Sequence, residues 1–322
     1  MEASHAVVVF DAGRATFRHQ LYPAYKANRP EPPEDLVPQF PLVREAALAM
    51  GLPIIEQEGM EADDIIASYT RQALERGMQV TIVSSDKDLM QLIQDGQVML
   101  RDPMKDTPIG AAEVQQKFGV SPAQVVDVQA LMGDSVDNVP GVPGIGQKTA
   151  ASLIQAYGSL ESLLTQAQTI PQKGRREKLV AYREQALLSK QLVTLRPDCE
   201  ALPDIDRYRH QPVDGAQLLA FCEAQDFSSI ASRVRKAHRL PEPGRQAPSS
   251  ARHTALIQHE AALEAVIQAA CDAGAVAVDT ETTGLDAMAA ALVGISLCVT
   301  PGEAYYIPLA HRYRPEEGAG RV

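Results

Sequence analysis

Two kinds of apolar spacing divide the chain. AVVVFD (Ala6 to Asp11) and QVTIVSSD (Gln79 to Asp86) are short β-branched runs that each end on an aspartate, and they read as buried strands of a parallel sheet. GLPIIEQEG and QVMLRD fit two further strands. Between them, apolar residues recur at helical spacing over Leu36 to Met50 and Glu61 to Arg76, and Gly77 closes the second pattern as a C-cap. Strand and helix in alternation predict an α/β layered sheet. From Ala111 the pattern is mostly helical: GAAEVQQKFG, SPAQVVDVQALMG, QKTAASLIQAYG, SLESLLTQA and one longer run, KLVAYREQALLSKQLVTL. After His238 the stretch PEPGRQAPSSA reads as an extended linker. Beyond it come a helix around Glu260 to Ala273, a strand VAVDT, the acidic DTETTGLD and the apolar LVGISLCV. That is too little to bury a core, so this second unit reads as incomplete.

Composition narrows the picture. A length of 322 residues favours two domains. No apolar run is long enough to span a bilayer, and the N-terminus lacks the basic and apolar regions of a secretory signal. The four cysteines are scattered without a CxxC pair, which favours free thiols in a reducing, cytoplasmic setting over disulfides or zinc. A formal charge of -11 argues against coating nucleic acid through bulk charge. It leaves a nuclease open, because a carboxylate-rich metal site adds negative charge that bound cations offset. Local charge is more telling: from Ala12 to Pro30 there is no acid, but there are Arg14, Arg18, Lys26 and Arg29. QKGRREK and RVRKAHR form two more basic stretches, and any one of the three alone reads as a solvated face.

The acids fall in clusters. Asp11 and Asp86 close strands at the carboxyl edge, where open α/β sheets place ligands. Asp88 fits a helix N-cap as well as it fits a metal role. Glu61, Asp63 and Asp64 suit the dipole of the helix they open, while Glu61 and Asp64 share a face. Asp134 and Asp137 lie in the loop GDSVDNVPGVPGIGQKTA. None of these clusters has an adjacent histidine or cysteine. Hard oxygen ligands of this kind select Mg²⁺ or Mn²⁺, and two such ions can activate water and stabilise the leaving oxygen of a phosphodiester. Spacing alone leaves the reaction open.

Five ordered segments carry a resemblance: FDAGRATFRHQLYPAYKANRP, EGMEADDIIA, VSSDKDLMQL, DPMK and LMGDSVDNVPGVPGIGQKTA. From about Val7 to about Arg239 the chain resembles the 5′ nuclease domain of bacterial DNA polymerases I, within the flap endonuclease family. The resemblance implies a PIN-like, Rossmann-like α/β fold: a parallel sheet with helices, followed by a helical subdomain of helix-hairpin-helix type that binds DNA. DTETTGLD is similar to the first metal motif of a 3′–5′ exonuclease, an RNase H-like unit of which this would be a part, with Asp279 and Glu281 as vestigial ligands. The implied boundaries are 1–110 for the nuclease core, 111–239 for the helical subdomain, 240–252 for the linker and 253–322 for the partial exonuclease.

Carried over by position, Asp11, Glu61, Asp63, Asp64, Asp86 and Asp88 resemble the family's catalytic metal carboxylates, joined by Asp134 and Asp137 as further ligands for two Mg²⁺ or Mn²⁺ ions. TFRHQLYPAYKANR resembles the basic arch that receives a 5′ end, with Arg18, Lys26 and Arg29 on phosphates and Tyr22 and Tyr25 stacking on bases or supporting the arch. Gly141, Gly144, Gly146, Lys148 and Thr149 fall on a turn that resembles a duplex phosphate clamp, where the family often holds K⁺. The implied partner is DNA with a 5′ flap, a nick or a 5′ end, including one carrying an RNA primer, bound by a monomer in the bacterial cytoplasm or nucleoid. The family's pattern also has a strand ending in a metal aspartate ahead of the FDA motif. This sequence opens almost directly on AVVVFDA, so that strand and aspartate are expected to have no counterpart here. The later proofreading motifs are likewise unmatched, so no 3′–5′ release of nucleotides is expected. Two alternatives to the structure-specific 5′ nuclease follow: a DNA-binding piece with impaired chemistry, and a PIN-type ribonuclease, which the GVPGIGQKTA turn disfavours.

Overall fold

The computed structural model describes residues 3–241, 253–284, 286 and 288–309. The linker expected over 240–252 lies almost wholly outside the described residues. The chain forms two compact units, Met1–Leu240 and Pro241–Val322.

In the first unit, β1 (Val8–Val9) pairs in parallel with β2 (Ile54–Ile55). Helix α1 (Phe17–Leu21) falls within the basic segment, and α2 (Gln39–Ala49) leads into β2. Helix α3 (Ala62–Glu75) connects β2 to β3 (Val80–Val83), which pairs in parallel with β4 (Val98–Asp102). A fifth strand, β5 (Thr107–Ile109), folds back antiparallel on β4. The sequence carries Pro108 there, and an edge strand is where a sheet tolerates a residue that cannot donate.

The expected strands therefore form, but as two ladders rather than one sheet. Their side chains still share a layer, because Val7 and Val9 pack with Val80 against Ile65, Tyr69 and Ala73 of α3. Burial of branched apolar groups holds this layer together where backbone pairing does not; each such side chain, fully buried, is worth about 1.5–3 kcal/mol.

The helical part comprises α4 (Ala111–Phe118), α5 (Val125–Met132), α6 (Gln147–Tyr157), α7 (Leu160–Thr165), α8 (Lys173–Ala181), α9 (Arg183–Val193), α10 (Gly215–Ala224) and α11 (Ser228–His238). The long pattern expected to be one helix is two. Tyr182 leaves helical geometry, and the break lets Ala186, Ser189, Leu192 and Val193 of α9 face the interior while α8 buries only Leu179. One large core joins β3 and β4 to α4 through α9, with Leu100, Val114, Val128, Ile154 and Leu163 fully enclosed.

In the second unit, β6 (His253–Leu256), α12 (Glu260–Ala273), β7 (Ala277–Thr282), β8 (Leu292–Cys298) and β9 (Glu303–Pro308) give a sheet ordered β6-β9-β8-β7. Among its described residues only Ile257 and Val266 are buried hydrophobics. All four cysteines are free. No helix among the described residues is long and apolar enough to cross a membrane.

Candidate active site

A cleft of about 110 Å³ opens where β1, the start of α3, the loop after β3 and the loop after α5 meet. Asp11, Glu61, Asp63, Asp86, Asp88, Asp134 and Asp137 all line it. Local structure explains how each arrives. Asp11 follows β1 and its Oδ1 accepts a bond of 2.7 Å from the Ala62 amide, so it caps the start of α3. Glu61 is the N-cap of α3 and Asp63 lies in its first turn. Asp86 accepts from the Asp88 amide at 2.9 Å, a turn that sets both carboxylates after β3. Asp134 and Asp137 sit in a tight loop in which the Asp134 and Val139 backbones exchange bonds of 2.9 and 2.7 Å. Asp134 Oδ1 accepts from the Val136 amide at 2.8 Å within that loop.

Asp64, one residue along from Asp63, goes elsewhere. It is fully buried, outside the cleft, and holds Arg18 in a two-pronged pair of 2.6 and 2.8 Å. The Arg196 amide adds a third bond at 2.9 Å. Its oxygens are taken by the fold, which corrects the expectation of a metal ligand at this position. Arg18 is corrected with it. Its side chain borders the cleft but is only 1% exposed, and it donates to Asp64 and to the carbonyls of Leu192 and Thr194.

The rest of the basic segment also turns inward. Tyr25 is buried and its hydroxyl donates to Glu61 and Asp137 at 3.2 and 3.3 Å, so it supports the segment rather than stacking on a base. Tyr22 packs beside it with Leu188 and Val193. Lys26 Nζ lies 2.8 Å from Glu61 and 3.8 Å from Asp137, and Arg29 pairs with Asp137. The segment is pinned to the acidic loop by the Lys26 amide on the Asp137 carbonyl at 2.9 Å and by Asn138 Nδ2 on the Ala24 carbonyl at 2.6 Å.

Two residues that bond the cleft acids from outside its lining escaped the sequence analysis. Lys87 pairs with Asp134, and its position between Asp86 and Asp88 was the available signal, a cation embedded in an acidic run. Gln129 of α5 is fully buried and donates to Asp88; nothing in the helical pattern marked it.

Electrostatics separates the carboxylates. Burial, then the charges of Asp86, Asp88 and Asp11, push Asp63 up to about 7. Burial and Asp86 push Asp88 up to about 6, against the opposing bond from Gln129. Burial also penalises the charge on Asp134, but Lys87 and the loop amides outweigh it and hold that carboxyl below its usual range. Crowded like charges of this kind are relieved by a cation, and an all-oxygen donor set suits Mg²⁺ or Mn²⁺. As the side chains stand, no three among the described residues converge tightly enough to hold a metal.

The second half of the loop GDSVDNVPGVPGIGQKTA behaves differently. Gly133 and Gly141 both have positive φ, and a Cβ on either would overlap the backbone of the crossing segment. Gly141 is buried, with its amide on Ser189 Oγ at 3.0 Å and its carbonyl accepting from Gln185 at 2.6 Å. It shapes the turn and offers nothing to a ligand, contrary to expectation. Gly144, Gly146 and Lys148 are exposed at the start of α6, with Thr149 half-buried behind them. The first amides of that helix lack intrahelical acceptors. In the second unit Asp279 and Glu281 are exposed along the edge strand β7.

Residues 1–119 match the family described as 5′–3′ exonuclease, N-terminal resolvase-like domain, and residues 120–216 match 5′–3′ exonuclease, C-terminal SAM fold. Residues 254–321 match a 3′–5′ exonuclease family. The chain is 40% identical to DNA polymerase I of Rhizobium leguminosarum, over 96% of this chain and 38% of that protein. It is 39% identical to DNA polymerase I of Pseudomonas aeruginosa, over 95% of this chain and 34% of that protein. It thus spans little more than a third of the length of these relatives. Among solved structures, T5 5′-exonuclease with divalent metal ions (zinc) bound has the same fold, with a TM-score of 0.54, 24% identity, and coverage of 73% of this chain and 84% of that one. On these matches the chain belongs to the 5′–3′ exonuclease family, with its nuclease domains in residues 1–216 and a 3′–5′ exonuclease segment following them.

Proposed function

We propose that the first unit is a structure-specific 5′ nuclease, acting as a 5′–3′ exonuclease and 5′ flap endonuclease on DNA, in primer removal and repair as the leading portion of a DNA polymerase I. The observation that carries this reading is the cleft that seven carboxylates line, with Asp63 and Asp88 raised by burial and by neighbouring acids. Asp11, Glu61, Asp63, Asp86, Asp88, Asp134 and Asp137 would hold two divalent ions, Mg²⁺ or Mn²⁺. When bound, such ions supply an activated water and stabilise the leaving oxygen of the phosphodiester. The chain's own residues do the rest. Gln129 and the loop amides orient Asp88 and Asp134. Lys26 and Arg29, on a segment fixed to the acidic loop, stand where they can meet the phosphates of an entering 5′ end.

Duplex DNA would lie on the exposed turn at Gly144, Gly146, Lys148 and Thr149, through backbone amides and local cations. A K⁺ ion at that turn belongs to the same proposal, although Lys178 already brings its ammonium against Gly144. Comparing duplex affinity in K⁺ and Na⁺ at equal ionic strength distinguishes the two cations. The unit is taken to act as a monomer.

A duplex carrying a labelled 5′ flap, incubated with Mg²⁺, tests the main reading: cleavage near the junction is expected, and Asp86→Ala should abolish it. A second reading, a DNA-binding piece with weakened chemistry, is favoured by the absence of three converged ligands among the described residues. Flap binding without cleavage in either Mg²⁺ or Mn²⁺ would select it.

A further inference from the structure

The cleft has two chemically distinct halves. No ion pair is recorded among the described residues for Asp63, Asp86 or Asp88, whereas Glu61, Asp137 and Asp134 each face a cation, namely Lys26, Arg29 and Lys87. Exposure within these pairs is lopsided. The side chains of Glu61, Asp137 and Asp134 are 11, 12 and 6% exposed, while those of Lys26, Arg29 and Lys87 are 20, 50 and 31% exposed. The acids are held by caps and loop bonds and are nearly enclosed. The cations come from the solvent side on flexible stems and can return to it at little cost. A buried carboxylate without a counter-charge is strongly disfavoured. Arg18 also stands 3.7 Å from Glu61 but is committed to Asp64, and Lys26 is 3.8 Å from Asp137, so an incoming cation is what lets the solvent-side partners leave. The same pairing draws the acids toward lysine and arginine rather than toward a common centre, in keeping with the lack of three converged ligands.

We propose that Lys26, Arg29 and Lys87 are exchangeable counter-ions: they neutralise the Glu61, Asp137 and Asp134 side of the cleft in the metal-free protein, and an entering divalent cation displaces them. Lys26 and Arg29, once displaced, are free to take phosphate, so metal loading and capture of a 5′ phosphodiester are positively coupled. This rests on the metal-dependent nuclease reading above and adds a way for the cleft acids to keep a counter-charge until a divalent ion enters. It requires the cations to oppose metal binding while favouring DNA binding. Residues that merely scaffold the ligands would support both, and this difference in sign makes the idea testable.

The experiment uses the full chain. Calorimetric titration with Mn²⁺ is compared for the wild type, Lys87→Met and Lys26→Met. Each variant is expected to bind Mn²⁺ about fivefold more tightly, the scale of losing one partly exposed ion pair. Removing a counter-ion also costs fold stability, so melting temperature is read with and without Mn²⁺. The variants should start lower and show the larger metal-induced rise. Fluorescence anisotropy of a 5′-flap duplex in Ca²⁺ against EDTA gives the second arm: Ca²⁺ tightens binding by the wild type, and Lys26→Met loses most of that gain. Unchanged or weaker Mn²⁺ binding in both variants overturns the proposal, as does flap affinity indifferent to Ca²⁺ in the wild type. If the wild type binds Mn²⁺ and cleaves the flap while the variants bind Mn²⁺ no more tightly, this inference alone falls. If the wild type binds no Mn²⁺ at all, the metal-dependent reading falls with it.

Discussion

Two sets of acids in this chain stand in opposite surroundings. In the first unit, acids that follow β1 and β3, open α3 and fill the loop after α5 are gathered into one cleft, where burial and mutual repulsion raise Asp63 and Asp88. In the second unit, Asp279 and Glu281 sit on the edge strand β7, every residue of which is exposed. Both motifs are short and end or follow apolar strands. The difference is enclosure: four separate chain segments surround the first set, and water surrounds the second. A carboxylate gains unusual chemistry only where neighbours remove water and bring other charges close.

The largest effect that would test this contrast lies beneath the cleft. Arg18→Ala leaves Asp64 buried and unpaired, and unfolding by urea should show a loss of about 3 to 5 kcal/mol. A loss under 1 kcal/mol would mean that the pair does not hold α3 in place. Next comes Asp86→Ala, which should lower flap cleavage in Mg²⁺ at least about a hundredfold, the scale of losing one group that stabilises transition-state charge. Cleavage at the wild-type rate would move the chemistry out of this cleft.

A smaller effect follows from protonation. Asp63 and Asp88 have folded values raised to about 7 and 6, above the ordinary carboxylate value of about 3.9. The stability they contribute is therefore whole below that ordinary value and is lost as pH rises through 6 and 7. In EDTA the melting temperature should fall between pH 5.5 and 8. Saturating Mg²⁺ should remove the fall, because the ion favours the charged forms. Asp63→Asn should flatten the slope in EDTA, and an unaltered slope would discount the repulsion among these acids. The smallest effect belongs to the other motif. Asp279→Ala should change stability by no more than about 0.5 kcal/mol, as expected of an exposed side chain. The chain should release no nucleotide from a 3′ end; release abolished by Asp279→Ala would erase the contrast.

Much of the fold was legible. Short β-branched runs located β1 to β4 and helical spacing located α2 to α7 and α12, because strand and helix each leave a local signature in the spacing of apolar residues. Strand β5 and helices α10 and α11 were not found. The first carries a proline, and α10 is so evenly apolar that no face stands out; its start is set by Asp214 bonding the amides of Ala216 and Gln217. The break at Tyr182 was invisible because no glycine or proline marks it.

The site was legible as a set of acids and less so as a set of partners. Arg14, Arg18, Lys26 and Arg29 form a basic stretch without an intervening acid, and the resemblance cast the last three as phosphate contacts. The structure divides them: Arg14 pairs outward with Glu31, Arg18 inward with Asp64, and Lys26 and Arg29 across the cleft. Charge along the chain says that such residues need counter-charges, and only proximity in space says which ones.

The sequence by itself determined that acid clusters follow strands and open a helix, that the donors they offer are oxygen only, and that a glycine-rich turn leads into a helix. Tertiary structure alone decided between Asp63 and Asp64. These neighbours are the same residue type in the same helical turn, about 100° apart around the axis. Docking of α3 against β1 and the α9 terminus turns one carboxylate into the cleft and the other onto Arg18. Helical phase relative to a packed surface is set by which face the core accepts, and a linear pattern of two identical acids does not contain it.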